Sequence, residues 1–160
     1  RRAMLDEIGL FDEDFFAYLE DVDLAWRAQW AGWDAVYVPT ARVLHCHSAT
    51  AGEGSPFKRR LLGRNKVWLI LKNYPLPYLW LYGPLIWGYD AAAVVRALLT
   101  RSAAGVVAGR WEGWLGAAKA RRKRRHLLRR RSSRQMLKLL TPAQLPGAVL
   151  ARYRHLRQAA

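Results

Sequence analysis

Glu20-Asp21-Val22-Asp23-Leu24-Ala25-Trp26-Arg27-Ala28 is the stretch on which the reading of this chain turns. Three carboxylates crowd the start of a helical pattern, where the positive end of the backbone dipole favours them, and Gly32 stands where such a helix would stop. Asp23 and Arg27 lie at i and i+4 with the acid first, the order that supports a helix. The other side chains, Val22, Leu24, Ala25, Trp26, Ala28 and Trp30, are apolar nearly all round the axis, so neighbours must cover this element. The spacing predicts a helix over Glu20 to Ala31.

Upstream, Met4 to Leu10 reads as a short helix ended by Gly9, and Phe11 to Phe16 as an acidic, aromatic loop. Downstream, Ala35-Val36-Tyr37-Val38 is a short β-type run closed by Pro39, and Arg42-Val43-Leu44-His45 is a second. Both are short enough to be edges of a sheet. Phe57 to Asn73 has helical spacing and Pro75 stops it. Leu76 to Tyr89 is apolar and aromatic but interrupted by Pro77, Gly83, Pro84 and Gly88, so an interfacial or re-entrant segment is expected rather than a clean pass, which needs about 20 predominantly apolar residues.

The net charge of +15 is unevenly spread. Residues 1–50 hold nine acidic and four basic side chains, whereas residues 51–160 hold three acidic and twenty-three basic ones. Two units with different partners are implied, residues 1–55 and 56–160, with the turn formers between Ala49 and Pro56 at the boundary. The lone Cys46 excludes an internal disulfide framework. No stretch has the parts of a signal peptide, so a cytosolic setting is the default. The chain begins Arg1-Arg2-Ala3 without an initiator methionine, as a piece of a longer protein would.

In their order, the Gly9-Leu10-Phe11-Asp12-Glu13 segment, the Glu20-Asp21 helix, Gly32-Trp33 and Ala41-Arg42-Val43-Leu44-His45 resemble the acceptor-side end of a family-2 glycosyltransferase domain of the GT-A fold, notably its rhamnosyltransferase-like members. The resemblance is best over Leu5 to Thr50 and continues through Arg64-Asn65 and Lys72-Asn73-Tyr74-Pro75. It implies an α/β remnant of a nucleotide-diphospho-sugar transferase domain, followed by an α-helical, membrane-associated extension. The implied reaction is inverting sugar transfer from a nucleotide sugar, dTDP-rhamnose being the candidate, to a cell-surface glycan or lipid-linked acceptor. A divalent cation, Mg or Mn, would serve the departing diphosphate in the full-length enzyme. This chain alone, lacking the donor-binding half, would be inactive.

Such a transfer needs a base for the acceptor hydroxyl, and a carboxylate on a rigid helix start suits that task. The resemblance places it at Asp21, the Asp of the Glu-Asp pair, with Glu20, Asp23 and Arg27 holding the helix that presents it. Helix capping with one ion pair is the ordinary reading of the same carboxylates. Asp12 and Glu13 match the family's Phe-Asp-Glu element near the acceptor, although the usual Gly-Gly before it is Gly9-Leu10 here. Asp12-Glu13-Asp14 and Asp21-Val22-Asp23 both spell Asp-x-Asp, but in the resembled family that metal-binding motif lies upstream of every segment present here. His45, with His47 second, matches a histidine that related enzymes use on the cation; an ordinary strand-end histidine is the alternative.

Trp111 to Leu140 carries Lys119, Arg121, Arg122, Lys123, Arg124, Arg125, Arg129, Arg130 and Arg131 among tryptophans and leucines, the composition of a basic interfacial helix. It could be a solvated face, a phosphate-binding surface for nucleic acid, or a patch lying on anionic lipid. The aromatic, proline-containing segments before it favour the membrane, and no helix-turn-helix or zinc-finger spacing supports nucleic acid. The localisation implied is the cytoplasmic face of the cell membrane, peripheral or re-entrant. A reading of a different class is a non-catalytic basic module that binds membrane or nucleic acid.

Overall fold

The computed structural model describes residues 1–44, 54–100 and 103–140. Its regular elements are α1 (Arg2–Ile8), a 3-10 turn (Glu13–Phe15), α2 (Glu20–Trp30), α3 (Pro56–Asn73), α4 (Leu76–Leu99), α5 (Val106–Leu115), α6 (Ala117–Arg124) and α7 (Ser133–Leu139). Helix α3 is the spine, and α2, α5 and α6 all pack against it. Ser55 caps it, accepting from the Lys58 N–H, with Pro56 in the first turn and Pro75 just beyond its end. Val67, Leu71, Ala117 and Ala120 form the buried centre, with Trp68 and Trp87 packed over them.

An unusually close crossing joins α3 to α5. Gly105, Gly109 and Gly113 repeat every four residues, so they share one face, and a Cβ on Gly109 would stand 2.0 Å from the Arg60 carbonyl oxygen. The helix backbones are in direct contact there. Asp90, buried on α4, joins three helices: Lys66 of α3 donates at 2.8 Å and Arg110 of α5 donates through two nitrogens, each at 2.8 Å.

The expected α/β remnant is not formed. The described residues carry helices and no strand. Ala35 to Val38 and Arg42 to Leu44 lie outside any element, with Val36, Val43 and Leu44 82%, 87% and 102% exposed. Their β-type composition marks chain that fits a half-buried pleated surface, and no neighbouring strand among the described residues supplies one. The basic run is not one helix either. Gly116 lies against the Trp68 indole and separates α5 from α6, and beyond α6 the chain turns back so that the N–H groups of Arg130 and Arg131 donate to the Trp30 carbonyl at the end of α2.

Leu76 to Tyr89, read as interrupted, belongs to a 24-residue helix that runs through Pro84. Pro84 has no N–H to offer the Trp80 carbonyl, yet the helix continues. No helix of the described residues is long and apolar enough to cross a membrane.

Candidate functional site

The carboxylates singled out by sequence sit on two adjacent pieces, the turn at Asp12 to Phe15 and the start of α2. Between them the backbone is strained. Phe16, Tyr18 and Leu19 all have positive φ, at 60°, 68° and 68°, a region that costs a side-chain-bearing residue roughly 1–3 kcal/mol. Phe16 is the centre of a tight three-residue turn, closed by the Ala17 N–H on the Phe15 carbonyl at 2.7 Å.

The loop is held from α3. The buried Asn65 amide donates to the carbonyls of Phe15, Ala17 and Tyr18 at 2.8–2.9 Å, and Arg64 donates to those of Asp14 and Phe15. The Phe15 ring is buried edge-on to Trp68. This clamp sets where α2 begins, and therefore where Glu20 and Asp21 stand.

At that start the three acids diverge. Asp21 is exposed, its Oδ1 accepting the adjacent Val22 N–H at 2.8 Å. Glu20 is half-buried, and its Oε2 is buried without a hydrogen-bond partner among the described residues. Asp23 is fully buried and bound on every side, by Arg27 at 2.8 Å, by Lys72 at 2.8 Å and by the Asn73 amide at 2.8 Å. Arg27 turns its remaining donors on the carbonyls of Ile8, Gly9 and Leu10, which fixes the bend where Gly9 has φ 79°.

Lys72 also reaches Asp12 at 2.7 Å, and the Lys123 ammonium of α6 bridges Asp12 and Asp14. Burial pushes the Asp12 carboxyl up, but hydrogen bonds from Lys123 and Lys72, with the Asp14 N–H, bring it down to about 2. Asp12 is thus a fixed anion at neutral pH, not a proton acceptor. An open hollow of about 460 Å3 lies over these groups, edged by Asp12, Glu13, Arg27, Lys72, Lys123 and His126. Of the sequence candidates it takes in Asp12, Glu13, Arg27 and Lys123, and Asp21 is not among its lining residues. Glu13 is exposed.

His45 lies outside the described residues. Among those described, no three His, Cys, Asp or Glu side chains gather as a cation site. The carboxylates of Asp12, Asp14 and Asp23 are taken by ammonium and guanidinium groups, so these three offer little to a divalent cation.

Of the basic residues read as a membrane surface, several pair inside the molecule. Lys119 meets Asp14 at 2.6 Å, Arg130 meets Glu7, and Arg131 meets Asp34. Arg124 is buried and donates to the carbonyls of Leu71 and Lys72, while Arg129 lies over the Trp30 ring. Arg121, Arg122 and Arg125 are exposed, with no side-chain partner among the described residues.

Sequence reasoning did not give Asn65, Lys72 and Asn73 a role. Asn65 and Lys72 are seven apart on α3 and so share a face, and the signal for them was the resemblance, which runs through Arg64-Asn65 and Lys72-Asn73.

Over 103 residues the chain is 36% identical to N-acetylglucosaminyl-diphospho-decaprenol L-rhamnosyltransferase of Mycobacterium tuberculosis, in strain CDC 1551 / Oshkosh and in strain ATCC 25618 / H37Rv alike. The likeness is to a glycosyltransferase. It takes in 64% of this chain and 33% of each relative, so the match spans a third of the relatives' length. No family model matches the chain. No solved structure matches it.

Proposed function

We propose that this chain is the acceptor-side part of a glycosyltransferase that moves a sugar, rhamnose being the candidate, from a nucleotide sugar to a lipid-linked acceptor. The observation that carries this is the 36% identity to a rhamnosyltransferase named for a diphospho-decaprenol substrate. Donor binding is assigned to sequence outside the match, since only a third of the relative is covered. The 160 residues by themselves then bind no donor and transfer nothing.

In this reading Asp21 is the base. Three facts support it over its neighbours: Asp12 is held as a fixed anion, Asp23 is buried against three donors, and Asp21 alone of these faces solvent. The acceptor hydroxyl attacks the anomeric carbon, its proton passes to Asp21, and the bond from that carbon to the nucleotide diphosphate breaks with inversion. The divalent cation that the resemblance implies is given no residue among those described, and no step here depends on one.

The enzyme works at the cytoplasmic face of the membrane, attached peripherally. Supporting this are Trp80, Leu81 and Leu99 of α4, 83%, 65% and 80% exposed, and the exposed arginines of α6.

The test uses the full-length transferase that contains these residues, with dTDP-rhamnose and N-acetylglucosaminyl-diphospho-polyprenol. Asp21→Asn is expected to lower kcat roughly 100-fold or more with little change in donor KM. Turnover near that of the parent would exclude Asp21 as the base.

A further inference from the structure

Beside the core, between the C-terminal end of α3, the first half of α4 and helices α5 and α6, lies a second hollow of about 900 Å3. Its two halves differ in chemistry. Leu79, Trp80, Pro84, Trp87 and Trp114 make an apolar wall, and Arg121, Arg124, Arg125 and Arg129 stand along the other side. No carboxylate lines it.

Four guanidinium groups around one hollow repel each other unless an anion joins them. Arg124 shows the imbalance most clearly. It is 6% exposed, spends one nitrogen on the α3 carbonyls of Leu71 and Lys72, and has a buried Nε without a partner among the described residues. A buried donor left unpaired is costly, and guanidinium groups bind phosphate in forked geometry. Burial, with Arg129 beside it, also lowers the Arg124 guanidinium to about 10, so it stays charged at neutral pH. Other basic side chains of the same segment found acidic partners, as Lys119, Lys123 and Arg131 did.

We infer that this hollow holds the diphosphate head and the first isoprenoid units of a polyprenyl diphosphate lipid. An inorganic anion would leave the tryptophan wall wet, and a neutral lipid would leave the four guanidinium groups without a counter-charge. Only an amphiphile with a compact, multiply charged head meets both halves, and the volume falls within the roughly 300–1,000 Å3 of small-molecule sites. The inference rests on the transferase reading for its choice of isoprenoid over other anionic amphiphiles. It places the carrier lipid on α4 and α6, on elements other than the one that bears Asp21.

Titration of the 160-residue chain with farnesyl diphosphate, followed by calorimetry, tests this, with farnesol, inorganic pyrophosphate and uncharged phosphatidylcholine vesicles as comparisons. Farnesyl diphosphate is expected to bind at least ten-fold tighter than farnesol or pyrophosphate and to do so in the presence of the vesicles. Arg121→Glu with Arg125→Glu, and separately Trp80→Ser, each at an exposed position, should weaken binding ten-fold without moving the melting temperature. Equal affinity for pyrophosphate, equal affinity for farnesol, full competition by the vesicles, or indifference to both variants would overturn the site. A silent titration alongside an Asp21-dependent full-length transferase would remove the lipid site alone. Tight, variant-sensitive binding alongside a full-length protein that transfers no sugar would remove the transferase reading and keep the site.

Discussion

On the Asp12 carboxylate three donors converge, the ammonium groups of Lys72 and Lys123 and the N–H of Asp14. Its carboxyl is held at about 2 against an ordinary 3.8. A carboxyl lowered by folding stabilises the fold above its unfolded value, and that contribution disappears as pH falls through the folded one. The window therefore runs from about pH 4 down to about pH 2 and corresponds to about 2 kcal/mol at neutral pH. Denaturant unfolding of the parent and of Asp12→Asn should differ by about that amount at pH 7 and converge near pH 2. A difference independent of pH would show that the anion is not what the two lysines hold. The Asp23–Arg27 pair could be read from its spacing, because a helix brings i and i+4 together by its own geometry. Lys72 and Asn73 could not, since they reach Asp23 from 49 and 50 positions away and only tertiary packing joins them.

Among elements, the α3–α5 crossing depends on what glycine lacks. Gly109→Val would push a Cβ into the Arg60 carbonyl, and the two helices would have to separate. A loss of about 1–3 kcal/mol or more is expected in denaturant unfolding. Gly88→Ala on α4 is the matched control: nothing lies within 4 Å of the new methyl, and a gain of about 0.5–1 kcal/mol should follow from helix propensity alone. Equal effects would mean the crossing is looser than described. Local chemistry made α2 and α3 legible, since the acidic first turn, Gly32, and the Pro56 and Pro75 punctuation act within a turn of each helix end. The segments at 35–38 and 42–44 misled for the converse reason. Their residue types record a preference for pleated surroundings, while the existence of a strand depends on a partner that the segment itself does not encode. Pro84 and Gly88 misled within α4 because each acts on one position only, the lost Pro84 N–H and the bare Gly88 Cα, and the rest of a 24-residue helix carries them.

Across the whole molecule, the acidic and basic halves of the chain face each other. Asp12, Asp14, Glu7 and Asp34 are met by Lys119, Lys123, Arg130 and Arg131, so part of the cationic excess is spent internally. Composition disclosed the asymmetry but not which cations would remain outward. Membrane attachment should follow the outward set. In liposome flotation with anionic lipid, Arg121→Glu, Arg122→Glu and Arg125→Glu together should lower the bound fraction at least five-fold, because each exposed basic side chain near such a surface contributes about 1 kcal/mol. Lys119→Ala should leave it unchanged. A reversal of that order would reject the peripheral arrangement.

The three positive-φ residues ahead of α2 keep their shape because an asparagine nearly fifty positions later grips the carbonyls of Phe15, Ala17 and Tyr18, in and between them. Grafting residues 16–21 into a related chain without Asn65 would deliver the motif but not its aim. Exchange of this segment between lineages keeps its shape only when the distant helix travels with it, so the unit of inheritance here is the pair.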